Sequence, residues 1–368
     1  MTGSREHIIK NTWKGAALKA SGLEGRVEWE CPSNIALIKY WGKRPGQLPI
    51  NPSMSISLTR SVSRLSVDYG ISGKEPDFSM AYLYNGKPNQ LFADRFMDYL
   101  QRASAYLPFI SSMNFTIRSE NSFPHSTGIA SSSSSFGALA LALCTIAREI
   151  THAPAEDSEF YRHASFLARL GSGSAARSVF GGFVLWGKTP VVPGSSDETA
   201  IQLTQQVSQV FRDYCDSILV VHSDPKPVSS SVGHRLMDKH PYKAARIRQA
   251  KSNLGRLLQA LKEGDQHIFV EIIENEALTL HSLMLSSTPG FILLKPGTIA
   301  IIEKVREYRK ETRIPVGFTL DAGANVHLLY PSSFRASIKV FIEDHLKKYC
   351  ENSQVIHDQA GTGPVRIS

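Results

Sequence analysis

The sequence predicts an α+β fold of two domains with a cleft between them. Three observations carry that expectation. A chain of 368 residues is long enough for about two domains, each burying its own core. Strand-like and helix-like hydrophobic periods are mixed in both halves instead of being segregated. The pattern also restarts near residue 212, which divides the chain into an extension over 1–25, a first domain over 26–212 and a second over 213–368.

The extension carries a short helical pattern around Trp13–Ala20. Strand-like segments follow at Arg26–Glu30, Ile35–Trp41, Ser55–Leu58 and Leu65–Tyr69. Between Phe92 and Tyr106 the apolar spacing turns helical, with Phe92, Phe96, Tyr99 and Leu100 on one stripe; Asn114–Ser119 reads as a strand. Phe136, Leu139, Ala140, Leu143, Ala147 and Ile150 then hold an i, i+3, i+4, i+7 stripe that ends before Pro154. A helix over Phe160–Leu170 and a strand over Gly181–Trp186 complete the first half. In the second half Ile218–Val221 is a strand, and helices are expected at Lys243–Glu263, Gln266–His281 and Thr298–Tyr308. A strand pair, Val316–Leu320 and Val326–Tyr330, precedes a helix at Ser333–Lys348.

Composition narrows the function. The formal charge of +8 and a pI near 9.2 point to an anionic partner. The surplus is dispersed: Lys347, Lys348 and the Lys304–Arg313 region read as solvated helix faces, with no aromatic-interleaved basic stripe to follow a nucleic acid. A phosphorylated small molecule accounts for it with fewer residues. Four cysteines without CxxC spacing argue against a zinc site or a disulfide framework and fit a reducing cytoplasm. The longest apolar stretch, Phe136–Ile146, is too short to span a bilayer, and the amino terminus lacks a secretory core, so a cytosolic protein is expected.

Four segments carry chemistry. In Ser33–Arg44 an apolar strand holds Lys39 and Lys43; lysines this near a core suggest an anion pocket, although snorkelling from a strand edge would also place them there. The run Ser131–Ser135, preceded by Gly128, has the composition of a linker. The apolar stripe after it instead makes it the loop and first turn of a buried helix, where small side chains leave backbone N–H groups open to a phosphate. No Gly-Lys-Ser/Thr follows, so it is not a Walker A loop. In Gly171–Ser178, Gly171 fits a helix C-cap, but Arg177 among Ser172, Ser174 and Ser178 lacks carboxylate neighbours and calls for an anion. Asp321 stands in a glycine turn between two apolar strands, where an aspartate commonly caps its own backbone.

Taken in order from Glu30 to Pro364, these segments resemble the GHMP kinase superfamily and, within it, the diphosphomevalonate decarboxylase family. The resemblance rests on Asn34-Ile35-Ala36 through Lys43, Gly128–Ser132, Gly171–Ser174 with Arg177, Ser223-Asp224 with Val228-Ser229-Ser230, the His281 segment and Thr319–Gly323. It implies a first domain similar to domain 2 of ribosomal protein S5, a C-terminal α/β sandwich and an active site in the cleft. It also implies ATP and Mg²⁺, with mevalonate 5-diphosphate converted to isopentenyl diphosphate, CO₂, ADP and phosphate.

By the same resemblance, Asp321 matches the catalytic aspartate, and Lys39 and Arg177 complete its charged triad. Asn34 orients that arginine. Tyr40, Lys43, Ser172 and Ser174 hold the substrate's carboxylate and diphosphate. Gly128, Ala130, Ser131, Ser132 and Ser133 bind ATP, with Ser132 also facing the metal. A homodimer is common in the family. The chain departs from the family pattern at His125-Ser126-Thr127 and at Ala324. A phosphomevalonate decarboxylase or a mevalonate 3-kinase is the nearest alternative; the 3-kinase lacks the aspartate–lysine pair kept here as Asp321 and Lys39. An RNA-binding protein on the S5 fold is an alternative of another class. His125 and His281 read as structural groups.

Overall fold

The computed structural model of the chain describes residues 23–71, 78–123, 131–152, 157–224, 228 and 230–368. The expected helix at Trp13–Ala20, the His125 segment, Gly128 and Ala130 lie outside the described residues.

In chain order the elements are β1 (Glu24–Ile38), β2 (Ser53–Ile71), β3 (Ser79–Tyr84), β4 (Lys87–Pro88), α1 (Gln90–Ser104), β5 (Met113–Asn121), α2 (Ser131–Thr151), α3 (Asp157–Gly171), α4 (Ala175–Ser178), β6 (Phe183–Trp186) and β7 (Ala200–Gln202). The second half adds β8 (Cys215–Leu219), α5 (Ser230–Leu236), α6 (Lys243–Glu263), α7 (Gln266–Leu285), α8 (Pro296–Thr312), β9 (Gly317–Thr319), β10 (Val326–Tyr330), α9 (Arg335–Phe341), β11 (Val355–Gln359) and β12 (Val365–Arg366).

Two sheets organise the molecule. The first runs β12-β1-β2-β5-β3-β4, with β6 paired to β2 and β7 to β6; the second is a four-stranded sheet in the order β9-β10-β8-β11. Strand β12, from the far end of the chain, crosses back to pair Trp29 with Arg366 and so ties the two halves together.

Strand β1 changes character along its length. Val27, Trp29 and Cys31 alternate into a core with α2 and α3, while Glu28, buried beneath Arg26 and Arg64, and half-buried Glu30 point to the opposite face. From Cys31 to Ile38 every residue is buried, because Ile35, Leu37 and Ile38 pack into a second core shared with α6 and α7. Helix α2 is buried from Phe136 to Ala147. It lies so close to the sheet that a Cβ on Gly137 would meet Cys31 Sγ at 2.6 Å.

Several expected bounds are corrected. The strand expected through Trp41 ends at Ile38, where its pairing with β2 stops. The two strands expected at 55–58 and 65–69 are one 19-residue strand, bent where β1 slips register. The single helix expected over Ser333–Lys348 is α9 between a 3₁₀ turn and a π-turn over Ile342–Leu346, followed by further 3₁₀ turns. Its buried positions Ile338, Phe341, Ile342 and Leu346 stay on the core side through the wider turn. The loop expected over 171–178 contains α4. Among the described residues no helix is long and apolar enough to cross a membrane.

Candidate active site

The site starts where β1 stops. The β1–β2 register slips between Pro32 and Asn34 and again between Ala36 and Ile38; such irregularities bend a strand and re-aim its side chains. Asn34 lies between the slips, and Lys39 is the first residue past the strand. Gly42, at φ +90°, turns the chain, and a Cβ there would meet the Ile50 side chain at 2.4 Å. Its N–H donates to His234 Nδ1 at 2.9 Å, which fixes that imidazole as the Nε2–H tautomer. Burial pushes the His234 pKa down to about 3.

Lys39 is 1% exposed. Its ammonium donates to Ala36 O at 2.6 Å and to Asp321 Oδ1 at 2.9 Å. Burial lowers its pKa, and the attraction of Asp321 and Glu276 opposes that without reversing it. Asp321 lies just beyond β9, in the turn to β10, so the ion pair joins the two halves of the molecule. The Asp321 side chain keeps 26% of its surface. Its carbonyl accepts from Gly323 N–H at 2.7 Å and from His281 Nε2–H at 3.1 Å.

Arg177, on α4, is 2% exposed. Its guanidinium donates to Ser55 Oγ at 2.9 Å and Ser53 Oγ at 3.0 Å, and to Asn34 Oδ1 at 3.3 and 3.4 Å. Trp186 covers it at 5.9 Å, apolar cover the sequence did not reveal. Every one of these partners is neutral, and among the described residues no carboxylate reaches Arg177 within ion-pair distance. Burial pushes its pKa down to about 10, against a weaker opposing pull from Asp321. Asn34 in turn donates to Ser178 Oγ at 2.8 Å, which locks its oxygen towards the guanidinium.

The two small-residue loops come together beside this triad. Ser133 hydrogen-bonds Ser174, Ser132 stands 3.5 Å from Ser172, and Ser134 bonds Ser63 at 2.6 Å. Ser131 and Ser132 keep part of their surface at the positive end of the 21-residue α2, whereas Ser133 and Ser134 are buried. A Cβ on Gly173 would meet Tyr40 Oη at 2.7 Å and Trp186 at 2.8 Å, so only glycine lets this loop touch the Tyr40 wall.

Tyr40 donates to Gln47 O at 3.3 Å, and burial raises its pKa. Lys43 donates to the Gln47 amide at 2.9 Å. Burial, and then the nearby Arg235 and Arg102 charges, lower its pKa. A narrow pocket adjoins Ser131 and Ser132, walled by Tyr82, Tyr84, Phe92 and Arg95.

Three residues of this region, Glu276, Arg246 and His234, escaped the sequence reading, and His281 was read as a structural group. Glu276 and Arg246 grip the Lys39 backbone, His234 backs Tyr40 at 4.3 Å between ring centres, and His281 holds the Asp321 carbonyl. A carboxylate and a histidine inside the apolar face of Gln266–Leu285 were the available signal.

Two family models cover the chain: a diphosphomevalonate decarboxylase-like N-terminal domain matches residues 31–199, and a mevalonate 5-diphosphate decarboxylase C-terminal domain matches residues 217–365. A diphosphomevalonate decarboxylase of Ganoderma lucidum is 30% identical over 90% of this chain and 83% of its own length. The crystal structure of a mevalonate diphosphate decarboxylase from Staphylococcus aureus superposes with a TM-score of 0.79 at 28% identity, covering 94% of this chain and 99% of that one. A structure of MDDEF in complex with MVAPP, AMPPCP and magnesium gives a TM-score of 0.78 at 28% identity, covering 94% of this chain and all of the other.

Proposed function

The chain belongs to the diphosphomevalonate decarboxylase family, and from that membership we propose how its residues carry out the reaction. The enzyme phosphorylates the 3-hydroxyl of mevalonate 5-diphosphate with ATP and then releases CO₂ and phosphate, leaving isopentenyl diphosphate and ADP. The observation that carries the assignment of roles is the cross-domain Lys39–Asp321 contact at 2.9 Å beside a buried Arg177 whose partners are all neutral. That arrangement holds one base ready and leaves one cation in need of an anion.

The tertiary hydroxyl is a hindered nucleophile of very high pKa. Asp321 positions it and takes its proton late, as charge moves onto the transferred phosphoryl group. Lys39 keeps the carboxylate ionised beforehand. Arg177, held by Ser53, Ser55 and Asn34, grips the substrate carboxylate. When the C3–O bond breaks, the electron pair of the C1–C2 bond forms the C2–C3 double bond and CO₂ leaves. Asp321, ionised again once it has passed that proton to the phosphate or to solvent, then stabilises the positive charge developing at C3. Much of the rate gain comes from holding these groups in line.

Ser131, Ser132 and the start of α2 take the ATP phosphates. Ser172 and Ser174 continue that polar floor, Ser133 braces it from below, and Tyr40 and Lys43 hold the diphosphate.

The chemistry of the donor set fits Mg²⁺: among the described residues no cluster of three His, Cys, Asp or Glu exists, but hydroxyl oxygens such as Ser132 Oγ line the phosphate cradle. When bound, the ion neutralises phosphate charge. Four buried free cysteines support a cytoplasmic site of action. The two sheets support domains at 26–212 and 213–368, with β12 crossing between them.

A coupled assay of ADP and CO₂ with mevalonate, its 5-phosphate and its 5-diphosphate tests the reading. Equal release of both products from the diphosphate is expected. ADP without CO₂ would make the chain a 3-kinase, and preference for the 5-phosphate would overturn the diphosphate assignment.

A further inference from the structure

Strand pairing ends at Ile38, so the N–H and C=O of Lys39 must find partners elsewhere. The carbonyl accepts from Asn51 Nδ2 of the first half at 3.1 Å; the N–H finds its partner, and the carbonyl a second one, on the second half of the molecule. Lys39 N–H donates to Glu276 Oε2 at 2.9 Å, and Arg246 Nη2 donates to Lys39 O at 3.2 Å. Arg246 also grips Glu276 with both terminal nitrogens, at 2.7 and 2.6 Å, and Asn253 donates to Glu276 Oε1 at 2.8 Å. Arg246 is 2% exposed and Glu276 is fully buried.

Two neutral side chains would satisfy one amide and one carbonyl. A fully buried ion pair is an expensive way to do so, since well-packed apolar residues are often equally stable. What the charged pair adds is a fixed position for the residue it holds. The same helix, α7, carries His281, which holds the carbonyl of Asp321 at 3.1 Å. One rigid element therefore fixes the backbone on both sides of the Lys39–Asp321 contact.

We propose that Glu276, locked by Arg246, is a positioning residue that sets where the Lys39 ammonium meets the Asp321 carboxylate. The inference rests on the roles given to Lys39 and Asp321 above. A shift of about 1 Å in a reacting group costs roughly 10²-fold in rate.

The test uses the double substitution Arg246→Met/Glu276→Leu, which removes the clamp without leaving a lone buried charge, and Glu276→Gln, whose amide oxygen still accepts from Lys39 N–H. With mevalonate 5-diphosphate and ATP, the double variant is expected to lose roughly 10²-fold in kcat with little change in KM. Its alkaline limb should move, and Glu276→Gln should recover part of the rate. A folded double variant with kcat within about twofold of the parent overturns the proposal, as does a loss confined to KM. If the double variant does not fold, Glu276→Gln decides alone: a kcat between those of the parent and Lys39→Met, with a displaced alkaline limb, supports the clamp, whereas parental kcat with an unmoved limb, or a kcat as low as that of Lys39→Met, overturns it. If the parent itself fails to convert the substrate, the reading of the reaction falls instead. The clamp is then judged by the crystal structure of the double variant, where a Lys39–Asp321 contact kept at 2.9 Å would overturn it.

Discussion

Replacing Arg177 with methionine separates substrate binding from structural support. The guanidinium is 2% exposed, and burial moves its pKa from 12.5 to about 10. At about 1.4 kcal/mol per pH unit, keeping it charged without an anion costs the free enzyme about 3 kcal/mol. Against that stand its bonds to Ser53, Ser55 and Asn34. Losing them leaves buried oxygens unpaired, at about 1 kcal/mol each. The two effects nearly cancel. R177M is therefore expected to unfold within about 1 kcal/mol of the parent, a Tm change of about 2–4 °C.

Ligand response and turnover should differ sharply. Mevalonate 5-diphosphate at 100 times its Kd stabilises the parent by about 2.7 kcal/mol, and the variant by much less at the same concentration. Truncating one partner of a buried charge pair costs about 3–5 kcal/mol, so kcat/KM should fall at least 10²–10³-fold. Thermal unfolding with and without ligand, beside coupled ADP release, reads all three quantities. A Tm loss of more than about 10 °C with an intact ligand shift would show that Arg177 is a structural strut.

Asp321→Asn should lower kcat by at least 10²–10⁴-fold while leaving the nucleotide Kd unchanged by titration; near-parental turnover removes Asp321 as the base. The Lys39 pKa is lowered, so its charge is lost as pH rises through a value below 10.5. The alkaline limb of kcat/KM should lie below that value and move upward in Lys39→Arg, and an unmoved limb in that variant contradicts the assignment. His234, pushed down from 6.5 to about 3, is neutral when folded and protonated when unfolded across that window. Its contribution is complete above pH 6.5 and is lost as pH falls towards 3, with a slope of about 1.4 kcal/mol per unit. Urea midpoints of His234→Gln should show a shallower pH dependence than the parent; parallel curves would refute this.

The elements legible in the sequence were those with long, unambiguous periods. Lys243–Glu263 was read to the residue, and the stripe from Phe136 marked α2 because that helix is apolar on nearly every side. Short half-polar strands such as Ala200–Gln202 and Val355–Gln359 escaped, since their pairing depends on distant partners and not on local pattern. The site divides in the same way. Lys39 and Arg177 stood out because a charge in an apolar or small-residue setting is anomalous locally, whereas Asp321 looked like an ordinary turn aspartate and was singled out by the family resemblance. Their convergence was expected from the resemblance alone and not from local pattern, because it depends on two slips of strand register and on the packing of the second half against Lys39. Glu276 and Arg246 look like ordinary charges on long helices until the fold buries both.

The most direct test is a crystal structure with mevalonate 5-diphosphate bound. It should place the substrate's 3-hydroxyl within hydrogen-bond reach of Asp321, about 2.6–3.2 Å, with its carboxylate on Arg177 and its diphosphate beside Lys43. A substrate seated with its hydroxyl away from Asp321, or with Arg177 facing no part of it, would contradict the account.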